Sequence, residues 1–274
     1  MENIPTNSQQ PTSENLSIGV LAMDIAWADP VANLMVVEEY LKEHASGLDV
    51  LVLPELFSTA FPQDIDVLRN IAEDDSGKTV AALKELSGIY DTALAGSYLA
   101  TVDGKFYNRG FMILPDGSAS FYNKRHLFGM SAESRMFEPG SELPAVVEYK
   151  GWRVALIVCY DLRFPVWCRR SAGSCQYDVL LVAANWPVSR KYAWEHLLIA
   201  RAIENQAIVV GADRSGHDDF GDYDGMTYFF DTTGHPVDAE NHGILSIAKV
   251  SYSALVDMRR RWPVAKDADS FCLL

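Results

Sequence analysis

A carboxylate, a thiol and a carboxamide, Glu55, Cys159 and Asn185, stand at the ends of short, almost unbroken apolar runs over residues 50–53, 154–158 and 178–185. Runs of this kind are expected of strands covered on both faces, and α/β proteins bind their ligands at the carboxyl edge of such strands. The residue types suit covalent acyl chemistry, in which a thiolate attacks a carbonyl carbon while a carboxylate takes and returns the proton. Taken singly they decide less. Glu55 is equally readable as an exposed loop acid, and a cysteine closing a core strand is more often an inert buried thiol.

The elements that must position these groups follow from period and punctuation. Residues 16–25 (LSIGVLAMDI) predict a buried strand, and 32–45 carries apolar residues at helical spacing, ending before Gly47. The 50–53 run stops at Pro54, and 77–88 predicts a short helix. Across 93–123 apolar segments are separated by Asp103-Gly104 and Asp116-Gly117, pairs that supply the positive backbone angles of tight hairpins, and Lys150-Gly151 predicts one more. After the strand over 178–185 come a helix from about 190 to 205 and a strand over 207–216. Strands and helices mixed in this way imply a layered α/β architecture. No repeat, low-complexity tract or biased linker divides it, so one domain over 16–274 is expected after a flexible leader, 1–15.

The chain has 274 residues, 49% of them hydrophobic, enough for a sizeable core and near the upper size of one domain. Lys and Arg number 23 against 37 Asp and Glu, and the resulting charge of −14 argues against nucleic acid and anionic membrane as partners. Cys159, Cys168, Cys175 and Cys272 are too few and too irregularly placed for a disulfide scaffold, which favours a reducing compartment. Cys168 and Cys175 read as spare thiols. The polar first fifteen residues lack the basic start and apolar stretch of a secretory signal, and no apolar run approaches the ~20 residues that span a bilayer. A cytoplasmic protein is expected. The six histidines show no i, i+4 pair on a helix and no Cys-x-x-Cys companion, so no zinc site is expected.

Three strings occur in order: LPELF at 53–57, FYNKRHLF at 121–128 and VCYDLRFP at 158–165. Together they resemble the nitrilase, or carbon-nitrogen hydrolase, superfamily over residues 16–271. KRHLF, ANWP at 184–187 and ARAIENQAIVVGADR at 200–214 look like its omega-amidase branch, which hydrolyses the terminal amides of 2-oxo dicarboxylic acid monoamides. The resemblance implies an α/β fold of the four-layer αββα sandwich type and a catalytic triad of Glu55, Lys124 and Cys159. It implies a thioester intermediate with no metal or organic cofactor, a small-molecule amide and water as reactants, and a homodimer.

On that resemblance Glu55 is the base, and Lys124 with the backbone N–H of Tyr160 faces the oxygen that becomes negative when the thiolate attacks. Glu133 matches a second superfamily glutamate that positions Lys124 and substrate, although an exposed loop acid is its alternative. Where the superfamily often has Glu after Arg-Phe-Pro, this chain has Val166. Phe61, Asn185 and Trp186 are candidates to line the pocket, with core packing the alternative for both aromatics. Arg190 and Arg214 are candidates to bind a substrate carboxylate, an ion pair with a nearby acid being the alternative for each. For Arg163 the Asp161-x-Arg163 spacing favours a structural ion pair over substrate contact. Nitrilase and N-carbamoyl amidase activities share the triad and stay open. A papain-type hydrolase would need a catalytic-histidine motif that the sequence does not offer, and a catalytically silent binding protein of the same fold would be marked by an incomplete triad.

Overall fold

Continuous apolar runs and alternating ones both become strands here; all but two of the strands sort into two large sheets packed face to face, and those two pair as a separate hairpin. The computed structural model describes residues 12–170 and 176–269, so Cys175, Cys272 and most of the expected leader lie outside the described residues. In chain order the elements are β1 (Asn15–Leu21), α1 (Pro30–His44), β2 (Val50–Val52), α2 (Ile65–Ile71), α3 (Lys78–Tyr90), β3 (Ala93–Val102), β4 (Lys105–Ile113) and β5 (Ala119–Asn123). There follow α4 (Glu133–Met136), β6 (Val146–Tyr149), β7 (Trp152–Val158), β8 (Val179–Ala184), α5 (Lys191–Asn205) and β9 (Ile208–Asp213). The remainder comprises β10 (Ser215–Asp218), β11 (Gly221–Asp224), β12 (Tyr228–Phe230), β13 (Ala239–His242), β14 (Leu245–Ser251) and α6 (Tyr252–Arg261).

One sheet has seven strands in the order β13-β14-β1-β2-β3-β4-β5, and the other has five in the order β12-β9-β8-β7-β6. Side chains alternate between the two faces of a strand, and the cores divide accordingly. Val50 and Val52 of β2 meet Val179, Leu181 and Ala183 of β8 in a core between the sheets. On the outer face of the first sheet Leu51 packs with Val37 and Leu41 of α1 and Leu83 of α3. On the outer face of the second, Leu180 and Val182 pack with Trp194 and Leu198 of α5. The layers are therefore helix, sheet, sheet, helix, the αββα sandwich that the resemblance implied. Among the described residues no helix is long and apolar enough to cross a membrane.

The turn chemistry explains most boundaries. Asp29 caps α1 by accepting the Ala32 N–H at 3.0 Å, with Pro30 at the first helical position. Asp103 and Gly104 both have positive φ, as do Lys150 and Gly151, the requirement of the tightest hairpins. Three expectations shift. β1 ends at Leu21 instead of continuing to residue 25, because the chain leaves the sheet and Asp24 bridges to Ser215. α3 runs through Gly88 to Tyr90 and is ended by Asp91 in the left-handed conformation, an interior glycine costing a helix only ~1 kcal/mol. The expected strand over 207–216 divides at Asp213, where the chain leaves β9 for the β10–β11 hairpin.

Candidate active site

The carboxyl ends of β2, β7 and β8 converge, although β2 belongs to one sheet and β7 and β8 to the other. Glu55 lies beyond β2 in a loop where Leu56 and Ala60 have positive φ. That loop is held from both sheets: the Leu56 N–H donates to Ser97 Oγ of β3 at 2.9 Å, and the Glu55 N–H donates to the Ala184 carbonyl of β8 at 3.4 Å. The Glu55 carboxylate is buried and accepts three hydrogen bonds. Lys124 Nζ and Asn108 Nδ2 each donate to Oε1 at 2.7 Å, and the Asn185 N–H donates to Oε2 at 2.9 Å.

Lys124 follows β5, its backbone fixed by its N–H to the Asn108 carbonyl and by the Gly140 N–H to its own carbonyl, both 2.9 Å. Only glycine allows that approach, because a Cβ on residue 140 would stand 2.0 Å from the Asn123 carbonyl oxygen. The ammonium is 2% exposed and lies 2.7 Å from Glu133 Oε1, 2.9 Å from Glu133 Oε2 and 2.7 Å from Glu55 Oε1. Burial works against its charge, yet Glu133 and Glu55 outweigh burial and raise its pKa well above the ordinary lysine range. Glu133, at the start of α4, is buried as well, and its Oε2 accepts the Phe128 N–H at 2.7 Å. It is thus in contact with Lys124 and is no exposed loop acid.

Cys159 comes directly after β7 with φ of 44°, a conformation that costs a non-glycine residue on the order of 1–3 kcal/mol and concentrates at functional sites. The turn of 3₁₀ helix that it opens, Cys159–Arg163, is anchored by Asp161. That buried carboxylate accepts from the Tyr122 hydroxyl at 2.8 Å and from the His126 N–H at 2.9 Å, with the His126 ring 2.8 Å away. The Cys159 sulfur sits 3.9 Å from the Asn185 carbonyl oxygen. Burial pushes the thiol pKa well up and the Glu55 carboxylate adds to this, while the Lys124 ammonium opposes them. The thiolate is thus disfavoured by its burial and favoured by the nearby ammonium.

Glu55, Lys124, Glu133 and Cys159 open onto one cavity of about 120 Å³, smaller than the ~300–1,000 Å³ of drug-sized sites and of small-molecule scale. Phe61, Tyr160, Asn185, Trp186 and Arg190 line the same cavity. The two arginines singled out for a carboxylate part company. Arg190 stays, its guanidinium 5.2 Å over the Phe128 ring. Arg214 is buried in ion pairs with Asp24 at 3.0 Å and Asp218 at 3.2 Å and borders a neighbouring groove instead. Arg163 reverses its expectation. Asp161 is occupied by Tyr122 and His126, and the Arg163 guanidinium lies 5.0 Å over the Trp186 ring as a wall of the cavity. Sequence reasoning missed Asn108, which touches both glutamates, and the pocket residues Phe128, Ser131, Phe220 and Tyr223. The Asn in Tyr107-Asn108-Arg109, polar within an apolar strand, was the available signal for the first.

Residues 17–260 match the carbon-nitrogen hydrolase family. The chain belongs to that family. It is 38% identical to the omega-amidase YafV of Escherichia coli (strain K12) over 94% of its own length and 98% of the relative's. It is 30% identical to the 2-oxoglutaramate amidase of Bacillus subtilis (strain 168), covering 92% and 96% of the two chains. Among solved structures, XC1258 from Xanthomonas campestris, a CN-hydrolase superfamily protein with an arsenic adduct in its active site, superposes with a TM-score of 0.88 at 35% identity, over 96% of this chain and all of that one. The protein is an omega-amidase-like amidohydrolase.

Proposed function

We propose that the enzyme releases ammonia from the terminal carboxamide of a small anionic substrate such as 2-oxoglutaramate, with Cys159 as nucleophile, Glu55 as proton carrier and Lys124 as cation for the developing oxyanion. The observation that carries this reading is the Lys124 ammonium, shared between Glu55 and Glu133 and facing the same small cavity as the Cys159 thiol. Burial and the Glu55 carboxylate disfavour the thiolate, so attack requires a base, and Glu55 is the carboxylate within reach. The Cys159 proton passes to Glu55 as sulfur bonds to the amide carbon, and the negative charge that moves onto the amide oxygen is met by Lys124 and the Tyr160 N–H. Glu55 returns the proton to the departing nitrogen and ammonia leaves a thioester. Glu55 then takes a proton from water, the hydroxide oxygen bonds to the acyl carbon, and the acid product and thiol are regenerated. Glu133 and Asn108 keep Lys124 and Glu55 in register.

The anionic substrate is supported by the likeness to the 2-oxoglutaramate amidase of Bacillus subtilis and by the placing of charge. At −14 overall the protein repels anions, so recognition must come from local cations. Arg163 and Arg190 supply them: both wall the cavity, both lie over aromatic rings, and among the described residues the arginine ion pairs involve neither. A planar guanidinium can bind a carboxylate through two parallel hydrogen bonds. In Arg163→Met and Arg190→Met, kcat/KM for 2-oxoglutaramate should fall by about tenfold or more for at least one variant, a loss expected of a charge-assisted contact, while an uncharged amide of similar size is nearly unaffected. Equal losses on both substrates in both variants would remove these arginines from carboxylate recognition. The few, irregularly placed cysteines support a cytoplasmic location, and the family resemblance supports a homodimer, for which light scattering should return twice the chain mass; a monomeric mass would overturn the dimer.

A further inference from the structure

One buried acid beside the cavity has no part in the chemistry set out above. Asp213, the last residue of β9, is fully buried. Its Oδ1 accepts two backbone hydrogen bonds, from the Trp186 N–H at 2.7 Å and the Arg214 N–H at 3.0 Å, while its Oδ2 has no hydrogen-bond partner among the described residues. The Trp186 N–H belongs to the peptide group that joins Asn185 to Trp186. The carbonyl oxygen of that same group is the one 3.9 Å from the Cys159 sulfur, and the preceding N–H, on Asn185, donates to Glu55 at 2.9 Å. A peptide group is a rigid plane, so a partner that fixes its N–H also fixes where its carbonyl points.

We propose that Asp213 is a positioning residue for Cys159 and Glu55, acting through the peptide that joins Asn185 to Trp186. The inference rests on the roles given above to Cys159 and Glu55. The acceptor oxygen is what the position requires, since both N–H groups converge on Oδ1. A second negative charge here would oppose formation of the thiolate. Burial pushes the Asp213 pKa well up and the charge of Glu55 adds to this, against the two N–H groups and Arg214. In its protonated form Asp213 offers the acceptor without the charge, and an asparagine can do the same.

The test compares Asp213→Asn with Asp213→Leu in the full chain, reading kcat and KM on a neutral amide and the rate of Cys159 alkylation against pH. The asparagine variant should keep kcat within about threefold and leave the alkylation profile in place. The leucine variant, of similar bulk but without an acceptor, should lose about tenfold or more in kcat at nearly constant KM, as misplaced reacting groups do, and its alkylation profile should move. If the leucine variant does not fold, Asp213→Ala takes its place. An asparagine variant as impaired as the leucine one overturns the proposal, because the carboxylate and not its acceptor would then matter; so does a leucine or alanine variant with parental kcat and profile. Cys159→Ala and Glu55→Gln run alongside: parental activity in either removes the underlying reading, whereas two inactive controls beside an unimpaired leucine variant remove only the role of Asp213.

Discussion

Charge is buried and paired at both ends of β8, yet only one end faces a cavity and a thiol. Before the strand, the fully buried Asp178 lies against two arginines: Arg153 is 2.9 Å from Oδ1 and 3.0 Å from Oδ2, and Arg259 of α6 reaches Oδ1 at 2.5 Å. Burial raises the Asp178 pKa, but the two guanidinium groups outweigh it and leave the carboxylate below its usual range. Past the strand, one ammonium is shared by two carboxylates, and beside them stands a thiol whose pKa burial holds well up. The first cluster is an ion pair that ties α6 to the sheet. The second gathers its charges around a cavity that also holds a thiol. Buried charge alone does not mark an active site; buried charge gathered at a thiol and facing a cavity does.

The contrast can be broken by exchanging what each cluster loses when a charge is removed. The largest effect is expected at the carboxyl end, where Lys124→Met should lower kcat by at least ~10³, the scale of a lost oxyanion partner or more, with the fold retained as judged by circular dichroism. Activity within tenfold of the parent would place the oxyanion cation elsewhere. Glu133→Gln should be milder, about 10- to 100-fold in kcat, because Lys124 keeps Glu55 as a partner; an unchanged kcat would leave Glu133 without a role in positioning Lys124.

Asp178→Asn should do the opposite, leaving kcat per folded molecule near the parent while removing about 3 kcal/mol of stability, as expected when one member of a buried pair is deleted. Its pH dependence follows from the sign of the shift. A carboxylate held below its unfolded pKa of ~3.9 contributes stability above that value and loses it as pH falls through the folded pKa. The stability difference between parent and variant should therefore be largest near neutrality and shrink below about pH 4. A constant difference down to low pH would separate Asp178 from the acid sensitivity of the fold.

Glu55, Cys159 and Asn185 were legible because strands buried on both faces leave continuous apolar runs, and the first polar residue past each run stands out. Lys124 and Glu133 were legible only through the family strings, since what buries them is a set of loops that no local period describes. Asn108 was hidden for a related reason. In an antiparallel strand a polar residue ordinarily faces solvent, and only the opposite end of the second sheet turns its position into the interior. Arg163 was misjudged from spacing: on a 3₁₀ turn with three residues per turn, positions i and i+2 point in different directions, so Asp161 goes to Tyr122 and His126 while Arg163 turns to the cavity. Arg214 was misplaced because the expected strand carried straight on through Asp213, where the real chain enters a hairpin and gives the guanidinium to Asp24 and Asp218.

The central claim is that the chemistry at the carboxyl end passes through an acyl group on Cys159. Mass spectrometry of the parent enzyme, acid-quenched on the millisecond scale during turnover of 2-oxoglutaramate, tests it most directly. The expected result is a mass gain equal to the substrate less ammonia, mapped to the peptide that contains Cys159 and absent once Cys159 is replaced by alanine. An adduct on Cys168, whose fully enclosed thiol burial pushes up to about 12, or parental turnover by Cys159→Ala, would contradict the account.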